Sequence, residues 1–113
     1  MKIDSYSFGN IVIDGKLYTS DVIIYKDKVD SSWWRKEGHK LQIVDIEDIV
    51  KSKPDALIVG TGAYGVMKVQ DEVIKYLKSK GIEIYIYPTS EAVKEFNKLQ
   101  DKKNIVAALH LTC

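Results

Sequence analysis

Residues 3–8, IDSYSF, alternate apolar and polar positions, the period of a half-buried strand. Ile11–Ile13 and Leu17–Tyr18 flank Asp14-Gly15, a pair suited to a tight hairpin because both central positions need positive φ. Val22–Tyr25 reads as a further strand, and Val29–Trp34 continues it after a turn at Asp27-Lys28. Arg35–Lys40 is polar, contains Gly38 and reads as an exposed loop.

From residue 45 the period changes. Asp45 is placed to cap a short helix with Ile46, Ile49 and Val50 on one face, ending before Pro54. Ala56–Val59 is a continuous apolar run, as expected of a strand covered on both faces. Asp71 caps a helix through Lys80 with Val73, Ile74 and Leu77 facing inward and Gly81 as its stop. Ile82–Tyr87 is a strand closed by Pro88. Thr89 or Ser90 caps a helix whose stripe is Ala92, Val93, Phe96 and Leu99, and Ile105–Leu111 is the last strand. The expected fold class is α/β. It is a layered domain over residues 1–113 with a mixed central sheet, a β-α-β-α-β second half and an N-terminal antiparallel hairpin layer.

Composition narrows the function classes. The 113 residues are 45% hydrophobic and 29% charged with net charge +1, which fits one globular domain and not a disordered chain. Near-neutrality argues against nucleic acid or an anionic membrane as partner. Arg35 is the only arginine among many lysines. The single cysteine, Cys113, excludes an internal disulfide. No apolar leader or window of spanning length is present, so a cytoplasmic location is expected.

Gly60, Gly62 and Gly65 spell G-x-G-x-x-G after a strand, the pattern of a dinucleotide loop. The context disagrees. The next helix starts near Asp71, so no helix N-terminus is expected at the loop. No acidic residue follows Tyr87, and too little chain remains for a full dinucleotide fold. A backbone turn is therefore expected, with a small anionic ligand as the functional alternative at the C-terminal ends of the parallel strands. Gly60, Thr61, Gly62 and Thr89 would line that site, with Lys68 and Asn97 as polar candidates.

His110, Thr112 and Cys113 form H-x-T-C, but two ligand types without further cysteines do not make a tetrahedral site. No metal and no cofactor is expected, and His39 reads as a solvated loop histidine. Trp33 and Trp34 are adjacent on an extended chain: alternation makes one core and the other partly exposed, while the plainer reading, favoured here, packs both between hairpin and helix. Trp34 with Arg35 forms the candidate surface for a protein partner. No paired carboxylates, phosphate-binding loop or zinc-protease motif signals catalysis, and no catalytic residue is assigned.

LIVGTGAYGVMKVQDEVIKYLKSKGIEIYIYPTSEAVKEFNKL, the closing VAALHLTC, and SSWWRKEGH in the first half together resemble the family of the adipogenesis-associated domain-containing protein. That family comprises small domains first named after a methanogen open reading frame. A mitochondrial assembly factor for respiratory complex I is a more distant relative. Matching positions include Trp34, Gly38, Gly60, Gly62, Lys68, Val69, Gly81, Asn97, His110, Thr112 and Cys113. Thr61 and Tyr64-Gly65 depart from the animal pattern. The resemblance implies a compact mixed-sheet domain with an added β layer and no established reaction. A non-catalytic binding, regulatory or assembly role is expected, with a protein partner. A small-molecule or anion-binding protein, conceivably an enzyme, is the alternative.

Overall fold

The computed structural model describes residues 1–113 and has the expected α/β layering. Ten strands run β1 (Ile3–Ser7), β2 (Asn10–Ile13), β3 (Lys16–Tyr18), β4 (Val22–Ile24), β5 (Val29–Asp30), β6 (Lys40–Leu41), β7 (Ala56–Thr61), β8 (Lys68–Val69), β9 (Glu83–Tyr87) and β10 (Ile105–His110). Three helices, α1 (Glu47–Lys51), α2 (Asp71–Ser79) and α3 (Thr89–Leu99), separate the later strands. The central sheet has the order β5-β4-β10-β7-β9. β10, β7 and β9 are parallel, and β4 and β5 are antiparallel to their neighbours, which makes the sheet mixed.

All six residues of β7 and all six of β10 are buried, because layers cover both sheet faces. On one face, Ile58, Ala107 and Leu109 meet the hairpin residues Ile3, Ile11 and Ile13 and the α3 stripe Ala92, Val93 and Phe96. On the other, Leu57, Val59, Val106 and Ala108 meet Ile46 just before α1, Ile49 within it, and Val73 and Leu77 of α2. The period-2 strands and period-3.6 helices thus point their apolar sets at the same two interfaces. Asn97 of α3 ties the hairpin layer down: its side-chain amide accepts from Ile3 N–H at 3.0 Å and donates to Ile3 C=O at 2.9 Å.

The hairpin forms as expected. Asp14 (φ 49°) and Gly15 (φ 79°) occupy its two central positions. Several local readings need correction. A 3₁₀ turn, Ile43–Ile46, precedes α1, and Asp45 lies inside it. The Asp45 carboxylate accepts from Gln42 N–H at 2.8 Å and Lys36 N–H at 3.0 Å, so it pins the preceding loop. Asp71 and Thr89 are the first residues of α2 and α3, following Gln70 and Pro88, rather than their caps, and the Thr89 hydroxyl is used elsewhere. Val29–Trp34 is a strand only over Val29–Asp30. The loop around Arg35–Lys40 ends in β6, which pairs in parallel with β8, a two-residue strand without a periodic signal.

Candidate functional site

Because β4 is antiparallel to β10, its start lies at the same edge of the sheet as the C-terminal ends of β7, β9 and β10. Ligands of open α/β sheets collect at such edges. Two groups of residues meet here.

The first is the glycine loop. The helix expected to be absent from it is present: α3 begins beside Gly62, because β9 delivers its successor next to β7. Thr89 N–H donates to Gly62 C=O at 3.1 Å, and Gly62 N–H donates to Thr89 Oγ1 at 2.9 Å. The same hydroxyl donates to His110 C=O at 2.6 Å, and Thr61 Oγ1 donates to Tyr87 C=O at 3.1 Å. Gly60, Thr61, Gly62 and Thr89 are therefore brought together. A Cβ on Gly60 would stand 2.9 Å from Thr89 Oγ1, and one on Gly62 would stand 2.3 Å from the Cys113 carbonyl carbon. The N–H groups of Ala63 and Val66 bond to Thr112 C=O (2.6 Å) and Cys113 C=O (3.0 Å). Lys68 is exposed on β8, and Asn97 is committed to Ile3.

The second group is a buried ionic cluster. Asp21 precedes β4, His110 ends β10, and Arg35 comes from the loop before β6. Arg35 Nη1 and His110 Nδ1 each lie 2.8 Å from Asp21 Oδ2, and Leu111 N–H donates to Asp21 Oδ1 at 2.8 Å. The Arg35 and His110 side chains are only 6% and 7% exposed. Burial disfavours the Asp21 carboxylate. Hydrogen bonds from His110, the Leu111 amide and Arg35 outweigh that and hold its pKa at about 2. A lone pair on Nδ1 facing that carboxylate would be repelled, so the geometry assigns the proton to Nδ1, donating to Asp21. Nη2 of Arg35 lies 3.1 Å from the same nitrogen and donates to Gly38 C=O at 3.0 Å. The guanidinium also covers the Trp33 ring, 4.7 Å from its centroid.

This cluster resembles a catalytic Asp–His pair, yet His110 Nε2 is buried and meets no partner, and neither does Arg35 Nε. The arrangement joins β4, β10 and the loop at residues 33–39. Arg35 therefore turns inward, and the expected Trp34–Arg35 surface reduces to Trp34. Trp33 is buried and donates from Nε1 to Asp45 C=O at 3.0 Å, while Trp34 is 71% exposed. His39 is exposed, its ring 6.0 Å from that of His110. Asp21 went unmarked in the sequence, since no spacing signals it. The lone arginine in a lysine-rich chain was the available signal, because a buried, forked pairing favours guanidinium over ammonium.

Beside Trp34 lies a cleft of about 260 Å³ whose lining includes Trp33, Trp34, Val44, Asp30, Glu47 and Asp48. Phe8 and Tyr64 form another exposed aromatic pair, ring centroids 6.0 Å apart.

A mixed five-stranded sheet between a hairpin-and-helix layer and a two-helix layer, with its polar edge residues bonded to one another, defines a small layered α/β domain. The chain belongs to the family described as "Protein of unknown function (DUF498/DUF598)", which matches residues 3–110. A conserved hypothetical protein of Pyrococcus horikoshii OT3 has a similar structure, with TM-score 0.86, 33% identity and full coverage of both chains. An outer membrane protein of Bartonella henselae shares the fold at TM-score 0.83 and 21% identity, over 98% of this chain and 94% of that one. In sequence the chain is 25% identical over 109 residues to NADH dehydrogenase [ubiquinone] 1 alpha subcomplex assembly factor 3 of Xenopus tropicalis. The match covers 96% of this chain and 59% of the assembly factor, so the chain spans under two thirds of that relative's length. No helix is long and apolar enough to cross a membrane.

Proposed function

We propose that this chain is a non-catalytic binding protein of assembly type, acting as one domain, that docks a protein partner on the surface around Trp34. The observation that carries this reading is the exposure of Trp34 between two anchored neighbours. Trp33 is bonded to Asp45, and Arg35 is locked to Asp21 and Gly38. A large aromatic side chain presented from a rigid support is what an interface anchor needs, because little conformational freedom is then lost on binding. The assembly factor among the relatives supports the same direction. Kinship with the adipogenesis-associated branch of the family and a cytoplasmic location belong to this reading.

Affinity capture from native extract, with wild type and Trp34→Ala side by side, tests it. A partner recovered by wild type and lost with Trp34→Ala is expected. Equal recovery of every co-purifying protein would refute the tryptophan surface. The competing anion-loop reading at Gly60–Gly62 is checked separately: sulfate should then stabilise wild type more than Gly62→Ala, beyond its general salting effect.

A further inference from the structure

Asp30, Glu47 and Asp48 on the Trp34 cleft have no basic side chain as partner; Asp30 accepts only from Ser32, through its N–H at 2.9 Å and its hydroxyl at 3.0 Å. The ion pairs of the molecule use Asp21, Glu37, Glu83 and Glu95, and none uses Asp30, Glu47 or Asp48. Glu47 and Asp48 are exposed on the first turn of α1, and Asp30 of β5 lines the same cleft. Burial, together with the charges of Asp48 and Asp30, raises the pKa of the Tyr25 phenol, so the negative field of these groups reaches into the fold. The same cleft is lined by Trp33, Trp34 and Val44, of which Trp34 and Val44 (52% exposed) face solvent.

A cleft lined by aromatic and acidic residues, with no basic residue among them, is complementary to a cation carried on an apolar stem. The chain holds an internal precedent one residue away: Arg35 stacks on Trp33 and pairs with Asp21 at the same time. A planar guanidinium can lie on an indole face while its edge forks to carboxylates, which an ammonium cannot do. We infer that the cleft lined by Trp34, Asp30, Glu47 and Asp48 receives an arginine side chain of a protein partner, flanked by apolar residues that cover Val44. This inference rests on the reading of Trp34 as the partner surface, and it adds the chemistry of what docks there.

The test uses the full chain, ¹⁵N-labelled, titrated with the peptide acetyl-Ala-Leu-Arg-Leu-Ala-amide. Its citrulline counterpart keeps the shape without the charge. Saturable shifts are expected at the Trp34 indole N–H and at the amides of Val44–Asp48. They should weaken at least ten-fold with the citrulline peptide, with Trp34→Ala, and with the combined Asp30→Asn, Glu47→Gln and Asp48→Asn variant. The Trp33 indole N–H, bonded to Asp45, reports that each variant is folded. Absence of saturable shifts at the cleft, or an equal response to arginine and citrulline, overturns the inference; both are read on wild type and need no variant to fold. A captured partner lost with Trp34→Ala but kept by the amide variant overturns the arginine inference and leaves the docking surface standing. Capture unaffected by Trp34→Ala removes the docking surface itself.

Discussion

Replacing Gly62 with alanine tests whether the glycine loop is built around the chain's own last residues. Gly62 has φ +105°, outside the range comfortable for an L-residue. Forcing a side chain there costs about 1–2 kcal/mol in backbone strain alone. The added Cβ would also sit 2.3 Å from the Cys113 carbonyl carbon and 2.8 Å from the Thr112 oxygen, both backbone atoms. Relief requires Thr112 and Cys113 to move, which breaks the bonds from Ala63 N–H and Val66 N–H to their carbonyls. Two lost hydrogen bonds contribute about 1 kcal/mol each. The expected destabilisation is about 3 kcal/mol. Gly65→Ala is the control, since Gly65 also has positive φ (+68°) but its Cβ would meet only Thr61 Oγ1, at 3.7 Å. It should cost about 1 kcal/mol, the strain without the collision. Urea denaturation at equal slope measures both. A Gly62→Ala variant no less stable than Gly65→Ala would refute the packing argument and leave backbone conformation as the whole effect.

The other predictions concern single supports of the edge. Asp21, held at about pKa 2 against an ordinary 3.8, contributes stability that is present above about pH 4 and lost as pH falls through 2. That contribution is about 2 kcal/mol, and Asp21→Asn should flatten this part of an acid-unfolding curve relative to wild type. Thr89→Val keeps the shape but strips Gly62 N–H and His110 C=O of a buried partner, so a loss of about 2–3 kcal/mol is expected in thermal or urea unfolding. Asn97→Ala removes both bonds to Ile3 and should raise hydrogen exchange in β1 and β2 ahead of the central sheet. Trp33→Ala should cost about 3–5 kcal/mol and Trp34→Ala under about 0.5 kcal/mol, because only the first leaves a cavity.

The layers were legible because burial writes its period into the chain. Ala56–Val59, without alternation, announced a strand covered on both faces, and Ala92, Val93 and Phe96 announced the helix that covers one of them. The division of labour between Trp33 and Trp34 was only half legible: alternation offered it, but packing both inside was favoured, and the structure leaves Trp34 exposed. The ionic cluster was not, since Asp21, Arg35 and His110 come from three elements up to 89 residues apart in sequence. Nor was the approach of α3 to Gly62, which depends on β9 lying beside β7. Asp45 looked like a helix cap because an acidic residue before an apolar stripe usually is one. Only the path of the loop before it shows that its carboxylate serves Lys36 and Gln42 instead.

The strand made last lies in the middle of the sheet. β10 separates β4 from β7, and both partners leave the ribosome well before it. Pairing Ala107 with Ile24 closes a loop of more than eighty residues, and pairing it with Ile58 closes one of nearly fifty. Until residues 105–110 arrive, β4 has only the two-residue β5 beside it, whereas the hairpin layer and the β7-α2-β9 unit can already associate locally. Long closures of this kind slow folding, because their entropy is lost before the contacts form. A nascent chain stalled before β10 would therefore hold two half-sheets with open inner edges, the species most exposed to pairing with the wrong strand.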